Sequence, residues 1–476
     1  MACRGSDRPP TDKPDLILHR GSFTTLDRSN PVATAVAIKD GRFVAVGREG
    51  DVLPLAGPAT RVIDLRGRQA LPGLIDNHLH IIRGGLNFNM ELRWDGVRSL
   101  ADAMAMLRRQ VAVTPPPQWV RVVGGFTEQQ FAERRLPTIA ELNAAAPDTP
   151  VFVLHLYDRA LLNAAALRAV GYTRETPAPP GGEIVRDGKG DPTGLLLAKP
   201  NAGILYVTLA KGPKLPFEYQ LNSTRHFMRE LNRLGVTGAI DAGGGFQNYP
   251  EDYAVAQKRY GQGAAGTTPP LAQMLEAGIP LSAGTDATRV ASYNPWVSLA
   301  WLVTGRTVGG LKIYPQRNCL DRETALRMWT EKVTWFSNEE GKKGRIEVGQ
   351  LADLIVPDRD YFSCPEEEIA EITADLTIVG GRIVYGGRDF ARFDEDAPPP
   401  AMPDWSPVRH FGGYAAWASP PTTKSAATMR REASACGCPR RCGIHGHDHA
   451  RAWPNRVAVS DFRAFWGAFG CTCWAV

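Results

Sequence analysis

Apolar and polar residues alternate in short runs at both ends of the chain. Residues 33–47 form two such runs around Asp40-Gly41, a pair typical of a tight hairpin turn. Residues 351–360 and 374–387 repeat the pattern near the other end. Side chains alternate faces along a strand, so these runs predict β-strands with one buried face. The predicted composite β-sandwich, formed by both chain ends, comprises residues 1–72 and 345–396.

The stretch between these ends alternates between helical and buried-strand patterns. Ser99 and Thr138 each precede a run with helical periodicity, and each is followed three residues later by an acidic residue, as in a capping box. Farther along, two helical patterns lead directly into the apolar runs 236–241 and 279–286. Helices followed by buried strands that end in polar residues are typical of a parallel α/β barrel. We therefore predict such a barrel over residues 73–344.

Composition and charge indicate the broad class of protein. The 476 residues are 43% hydrophobic and 22% charged, as in ordinary soluble globular proteins. No apolar run approaches the ~20 residues of a membrane span, and the start lacks the apolar segment of a signal peptide, so we expect a cytoplasmic protein with no membrane partner. The net charge of +5 falls entirely in residues 401–476, which we interpret as solvated surface and not as a nucleic-acid site. The sequence leaves a homo-oligomer open.

Residues 71–80, LPGLIDNHLH, predict a strand that ends in two histidines. His78 and His80 are two residues apart, so their imidazoles lie on the same face of an extended strand. Imidazole is a common ligand for zinc and related ions, and two neighbouring imidazoles can chelate one ion. The pair therefore predicts part of a metal site, whose remaining ligands must come from elsewhere in the chain.

Three motifs together resemble those of the metal-dependent amidohydrolase superfamily. They are residues 71–80, the run GTDA at 284–287 and the run GQLADLIV at 349–356. The subgroup that the chain resembles contains N-substituted formamide deformylases and proteins described as exoenzyme regulators. The resemblance covers about residues 15–400 and extends into the tail. It implies an α/β fold with a TIM-barrel amidohydrolase architecture, beside a small β-sandwich made from both chain ends.

The resemblance also implies roles for three residues. His78 and His80 would bind a divalent metal, with zinc as the expected ion. Asp286 would bind the metal or accept the proton of an attacking water, which makes it the expected catalytic residue. The implied reaction is hydrolysis of a non-peptide carbon–nitrogen bond in a small, amide-like substrate. By residue type alone, Asp286 could instead be a helix N-cap, a position that Asp fills well.

The predicted TIM barrel is incomplete. The resemblance implies a lysine or glutamate and two further histidines from middle barrel strands, and the sequence does not supply them. Residues 81–225 resemble the subgroup's insertion after the first barrel strand, which leaves only about forty residues between the runs 236–241 and 279–286. Five intervening βα units need well over a hundred residues, at roughly 30 each. We therefore predict an internal deletion near residues 258–261, either at the gene locus or through an error in its predicted reading frame.

Three further residues are candidate substrate contacts. Arg289 and Tyr293 follow Asp286 closely, so they would lie just beyond the site. His155 lies in the apolar strand pattern of residues 150–158, where it could line the substrate pocket. A hydrogen-bonded core histidine is an equally good interpretation of His155.

The tail, residues 397–476, combines a Pro-, Ala- and Ser-rich linker with clustered cysteine and histidine residues. Thiolate and imidazole together suit zinc, copper or an iron–sulfur centre, although the spacing matches no zinc finger closely. The tail supports an alternative function, that of a non-catalytic metal-binding or regulatory protein, and a disordered segment that binds metal opportunistically also stays open. The candidate ligands of this second metal site are Cys436, Cys438, Cys442, His445, His447 and His449.

Overall fold

The computed structural model describes residues 13–179, 182–199, 201–242, 271–312, 314–395 and 397–416. The strands in these residues are β1 (Leu16–Thr24), β2 (Val32–Lys39), β3 (Arg42–Gly47), β4 (Arg61–Asp64), β5 (Gln69–Pro72), β6 (Leu74–Leu79), β7 (Glu91–Leu92), β8 (Val120–Val123), β9 (Val151–His155), β10 (Arg159–Leu162), β11 (Gly182–Arg186), β12 (Pro192–Ala198), β13 (Val236–Asp241), β14 (Leu354–Pro357), β15 (Ala374–Val379) and β16 (Arg382–Gly386).

The α-helices in the described residues are α1 (Glu49–Val52), α2 (Ile81–Gly85), α3 (Leu100–Val111), α4 (Ile139–Ala145), α5 (Ala164–Val170), α6 (Gly203–Ala210), α7 (Phe217–Arg233), α8 (Leu271–Glu276), α9 (Pro295–Thr304), α10 (Arg322–Met328) and α11 (Pro407–Phe411). Short 3₁₀ helices cover Leu53–Leu55, Phe88–Met90, Glu128–Gln130, Gln316–Asn318, Glu331–Ser337, Glu366–Glu371 and Arg388–Phe393. None of the helices in this part of the chain has both the length and the apolar composition that crossing a membrane requires.

Strands from both chain ends pair in one eight-stranded sheet. Its order is β16-β15-β14-β5-β1-β2-β3, and β4 pairs with β1 beside this path. Antiparallel pairing of β14 with β5 joins the two ends, with Leu354 opposite Pro72 and Ile355 opposite Leu71. The predicted pairing between the two chain ends is therefore present. The two facing layers of a β-sandwich stay a prediction.

The turn between β2 and β3 has the geometry that Asp40-Gly41 predicts. Asp40 and Gly41 both have positive φ, 48° and 77°, as in the two-residue turns that match strand twist. The turn lies close to the other hairpin, because a Cβ added at Gly41 would lie 3.0 Å from the carbonyl oxygen of Gly380. Glycine is therefore needed at position 41 both for its φ and for this approach.

A second sheet, of six strands, lies within the stretch predicted to be an insertion. Its order is β11-β12-β10-β9-β8-β7, with β7, β8 and β9 parallel and the other pairs antiparallel. Val120 and Val122 of β8 pack in one core cluster with residues of α3 and α4, whereas Val123 packs in another with residues of α6. Helices therefore cover both faces of this sheet. The boundaries 81–225 of the insertion stay a prediction.

The predicted starts of α3 and α4 are confirmed. Ser99 Oγ accepts a hydrogen bond from the Asp102 N–H at 3.1 Å. Thr138 Oγ1 accepts one from the Glu141 N–H at 3.2 Å, and Glu141 Oε2 accepts one from the Thr138 N–H at 2.7 Å. Thr138 and Glu141 thus form a complete capping box, in which two otherwise unpaired backbone donors are satisfied.

Thr138→Ala is expected to lower the free energy of unfolding by about 1 kcal/mol, because the cap acceptor is lost. Thr138→Ser keeps the hydroxyl and should unfold at nearly the wild-type urea concentration. Urea titration followed by circular dichroism measures both variants. Equal stability of Thr138→Ala and the wild-type chain would contradict the role of this cap.

At the position of the predicted barrel, β6 and β13 form a two-stranded parallel sheet. Among the described residues no other strand joins them and no closed barrel is present. The prediction of a strand over residues 279–286 is wrong, although this segment runs beside β6. Pro280 has no N–H to donate and Asp286 has a positive φ of 51°, so a regular ladder cannot form. The incomplete TIM barrel therefore stays a prediction.

Candidate metal centre

Strand β6 carries His78, and His80 follows it immediately before α2. The strand is parallel to β13, with Leu79 opposite Asp241. His80 occupies the N-cap position of α2, but its side chain makes no capping hydrogen bond. The ring centroids of His78 and His80 are 5.5 Å apart and the rings meet edge to face at 88°. Both imidazoles therefore face one region, as the alternation of side chains along β6 predicts.

Asp286 completes a cluster of three metal-ligating side chains. Its Oδ1 lies 3.4 Å from Nε2 of His78 and 3.2 Å from Nε2 of His80. The Asp286 N–H donates to the carbonyl oxygen of His78 at 2.7 Å, which holds the carboxylate beside the histidines. The alternative role of Asp286 as a helix N-cap is wrong, because the next helix, α9, is capped by Asn294.

Asp76 and Thr285 connect the two segments that carry the cluster. The buried Asp76 accepts hydrogen bonds from Thr285 Oγ1 at 2.6 Å and from the Thr285 N–H at 3.0 Å. It also accepts one from the His78 N–H at 3.1 Å. Sequence reasoning missed this positioning role. The available signal was that Asp76 lies two residues before His78, on the same face of the strand.

Hydrogen bonds within the cluster set its charge. Burial alone would raise the pKa of Asp286, but the hydrogen bonds with His78 and His80 outweigh burial and lower the pKa to about 2. The hydrogen bond that His78 donates to the Asp286 carboxylate also raises the pKa of His78 above its ordinary value. Burial raises the pKa of Asp76 to about 6, despite its hydrogen bonds with Thr285 and His78. Asp286 is therefore an anion at neutral pH, the state in which a carboxylate binds a cation.

The three side chains fit a divalent cation. Ligand atoms about 2.1 Å from a tetrahedral ion lie about 3.4 Å apart, and the separations of 3.2 and 3.4 Å between the histidine nitrogens and Asp286 match this spacing. The Nδ1 atom of His80 is buried without a hydrogen-bond partner among the described residues, so the ring's polar contact is on its Nε2 side, toward Asp286. Two imidazoles and one carboxylate form a known ligand set of catalytic zinc.

Gly284 allows the segment with Asp286 to approach β6. A Cβ added there would lie 2.1 Å from Asn77 Oδ1 and 2.8 Å from the His78 backbone nitrogen. Gly284→Ala should therefore displace Asp286 and lower zinc affinity by at least about tenfold, as do other changes just outside a ligand set. Competition titration against a chromogenic chelator measures this affinity. Gly47→Ala is the control, since nothing lies within 4 Å of its added Cβ, and equal affinities in the two variants would contradict the prediction.

His155 is buried and both of its ring nitrogens have partners. Its Nε2 lies 2.9 Å from Glu128 Oε2 and its Nδ1 lies 2.8 Å from Asp158 Oδ1. These contacts match the hydrogen-bonded core histidine that the sequence allows, and they do not include a ligand of the metal cluster. A contact between His155 and substrate stays a prediction.

Arg289 and Tyr293 are also buried and paired. Arg289 Nη1 forms an ion pair with Glu91 Oε1 at 3.1 Å, and the Tyr293 hydroxyl donates to Glu230 Oε1 at 3.2 Å. The pattern of the sequence places them near Asp286 but does not indicate their burial. Their contact with substrate stays a prediction. The candidate ligands of the tail, Cys436, Cys438, Cys442, His445, His447 and His449, lie outside the described residues.

Comparison with known proteins yields relatives that share part of the chain. An N-substituted formamide deformylase of Arthrobacter pascens is 35% identical over 189 residues, which are 39% of this chain and 35% of that protein. The putative amidohydrolase YtcJ of Bacillus subtilis is 30% identical over 252 residues, 52% of this chain and 46% of YtcJ. The chain thus spans less than half the length of these two relatives.

A solved structure and a family model extend the comparison. The crystal structure of an uncharacterized metal-dependent hydrolase from Pyrococcus furiosus covers 73% of this chain and 100% of its own, at 16% identity and a TM-score of 0.46. The sequence model described as "Amidohydrolase family" matches in two segments, residues 61–258 and 254–385. These segments together span more than half of the chain, and the chain therefore belongs to the amidohydrolase family.

Proposed function

We propose that this chain is a metal-dependent hydrolase that cleaves non-peptide, amide-like carbon–nitrogen bonds in small molecules. The observation that carries the proposal is the convergence of His78, His80 and Asp286, whose ligand atoms all lie within 4.8 Å of one another. Zinc is the proposed ion, because this ligand set suits catalytic zinc. The expectations of a cytoplasmic location and of small-molecule substrates belong to the same proposal.

The residues of the cluster divide the chemistry between them. His78 and His80 would hold the cation together with Asp286, and a bound zinc would lower the pKa of water and polarise a carbonyl group. Asp286 is ionised at neutral pH, so its carboxylate can accept a proton from the attacking water and return it to the leaving nitrogen. Asp76 and Thr285 keep the carboxylate in place through their hydrogen bonds.

The proposal also states that this chain has the barrel of its family without the middle strands. Its support is that the two family-model segments meet at residues 254–258, close to the predicted deletion near 258–261. Sequencing the transcript across codons 255–265 tests this point, because a longer continuous frame there would show that the chain is read incompletely.

A second candidate is a metal-binding protein without turnover, in which the tail supplies a further site. The observation that favours it is the two-stranded parallel sheet at the cluster, since the described residues show no other barrel strand there. A catalytic site normally needs a complete and rigid support for its ligands. This candidate predicts bound metal and no hydrolysis.

An amine-release assay separates the two candidates. The full chain is loaded with zinc and incubated with a panel of N-alkylformamides and acetamides, and free amine is quantified over time. The proposed function predicts release that stops when zinc is removed by a chelator. Full zinc occupancy without amine release from any amide would contradict it and support the second candidate.

A further inference from the structure

Arg83 lies on the short helix α2, three residues after His80. The next two residues of the helix are glycines that pack closely elsewhere: a Cβ at Gly84 would lie 2.7 Å from Thr288 Cγ2, and one at Gly85 would lie 3.0 Å from Thr224 Cγ2. This packing fixes the rotation of α2. His80 is the N-cap residue of α2, so Arg83 follows this metal ligand within the first turn of the helix.

The Arg83 side chain is buried and has only one hydrogen-bond partner among the described residues. Arg83 is 8% exposed, its Nη2 donates to the Tyr157 hydroxyl at 3.1 Å, and its Nε has no hydrogen-bond partner in this part of the chain. In the described part of the chain no carboxylate lies within ion-pair distance of it. Tyr157 lies in the turn between β9 and β10 of the six-stranded sheet, so this hydrogen bond joins α2 to that sheet.

Three other arginines with little solvent exposure have acceptors. Arg93 pairs with Glu91 at 2.9 Å and Asp95 at 3.0 Å, Arg289 also pairs with Glu91, and Arg121 donates to the Pro213 carbonyl oxygen. An unpaired buried charge is costly, so such a group normally binds an anion. Among the described residues, only two carboxylates lie within ion-pair distance of these guanidinium groups, those of Glu91 and Asp95. The guanidinium groups thus outnumber their carboxylate partners; they belong to Arg83, Arg93, Arg121 and Arg289.

Arg83 is also within electrostatic reach of the metal ligands. Burial alone would lower its pKa, but the phenols of Tyr206 and Tyr157 and the carboxylate of Asp286 raise the pKa above its ordinary value. Its charge in turn opposes protonation of His78. Helix α2 lies beside both segments that carry the metal ligands, because it begins directly after His80 and its Gly84 packs against Thr288, two residues after Asp286.

We infer that Arg83 binds an anionic group of the substrate, and that the substrates are amides that carry a carboxylate, such as N-acylated amino acids. The inference rests on the proposed function and adds a substrate class to it. The unpartnered Nε and the guanidinium nitrogens can donate to the two oxygens of one carboxylate, the geometry in which arginine binds carboxylates most strongly. The opposing interpretation is that Arg83 only links α2 to Tyr157.

Calorimetric titration of the zinc-loaded full chain tests the inference. The probes are N-formylglycine, N-formyl-β-alanine and N-formyl-4-aminobutyrate, each compared with its neutral carboxamide. We expect at least one acid to bind about tenfold or more tightly than its carboxamide, as a charge-assisted hydrogen bond predicts. Arg83→Gln should bring this ratio close to one by weakening the acid alone. Arg98→Gln, which removes an exposed arginine paired with Glu371, is the matched control and should keep the ratio.

Several results would overturn the inference. An unchanged ratio in Arg83→Gln would mean that the carboxylate binds elsewhere, for example to zinc itself. Absence of any preference for the acids in the wild-type chain would exclude an anion site. If circular dichroism shows that Arg83→Gln does not fold, Arg83→Lys replaces it, since lysine keeps the charge but lacks the planar fork. A smaller ratio in Arg83→Lys would support the inference and a wild-type ratio would overturn it.

The titration also separates this inference from the proposed function. Binding does not require turnover, so an acid preference that Arg83→Gln removes supports the inference even if no probe is hydrolysed. Hydrolysis of the neutral carboxamides at equal rates by the wild-type chain and Arg83→Gln, without an acid preference, would instead support the proposed function and overturn the inference.

Discussion

Replacing His78 and His80 together by alanine is expected to lower the zinc affinity of the cluster more than about 100-fold, beyond the range seen for changes outside a ligand set. Both Nε2 atoms face the same carboxylate oxygen of Asp286, at 3.4 and 3.2 Å, so the double change leaves one ligand of three. A single carboxylate cannot hold zinc against water at micromolar concentration. Competition titration against a chromogenic chelator measures the loss in the full chain.

The matched control for this variant is His226→Ala with His410→Ala. His226 hydrogen-bonds to the carbonyl oxygen of Pro399 at 2.7 Å, and His410 to that of Asp404 at 3.2 Å. Neither histidine belongs to the cluster. The control should keep the high-affinity site. Unchanged affinity after loss of His78 and His80 would mean that zinc binds elsewhere in the chain.

Asp286→Asn is expected to lower the rate of amine release at least about 100-fold at a zinc concentration that saturates the site, because asparagine cannot accept the proton that general base catalysis requires. The amide is nearly isosteric with the carboxylate, and the histidines remain. Amine release and zinc content are measured on the same zinc-loaded preparation. The expected result is therefore a protein that still holds zinc but releases little amine.

Asp51→Asn is the control, since Asp51 is exposed in α1 and does not belong to the cluster. It should release amine at the wild-type rate. Wild-type activity of Asp286→Asn would exclude Asp286 as the base. Loss of zinc together with activity would show that Asp286 acts chiefly as a ligand.

Local features of the fold could be predicted from the sequence because their causes lie within a few residues. The capping box at Thr138 depends on Glu141 three residues away, and the hairpin at Asp40-Gly41 depends on two positive φ values. The segment 279–286 shows the limit of this reasoning. Its apolar pattern favours a strand, but the backbone at Pro280 and Asp286 prevents a ladder.

The candidate site was predictable to a similar extent. Strand alternation indicates that His78 and His80 act together, and the family resemblance supplied Asp286. The hydrogen bonds of Asp76 with Thr285 join segments far apart in the chain, so no local pattern reveals them. The burial of Arg83 depends on the packing of α2 against its neighbours, which a sequence of one helical turn does not specify.

Zinc stoichiometry by elemental mass spectrometry tests the central claim most directly. The protein is the full chain in which the tail candidates Cys436, Cys438 and Cys442 are replaced by serine and His445, His447 and His449 by alanine. The claim that His78, His80 and Asp286 form a metal centre predicts about one zinc ion per chain in this variant, and none when His78→Ala and His80→Ala are added. Zinc in the wild-type chain but none in the tail variant would contradict the claim and place the metal site in the tail.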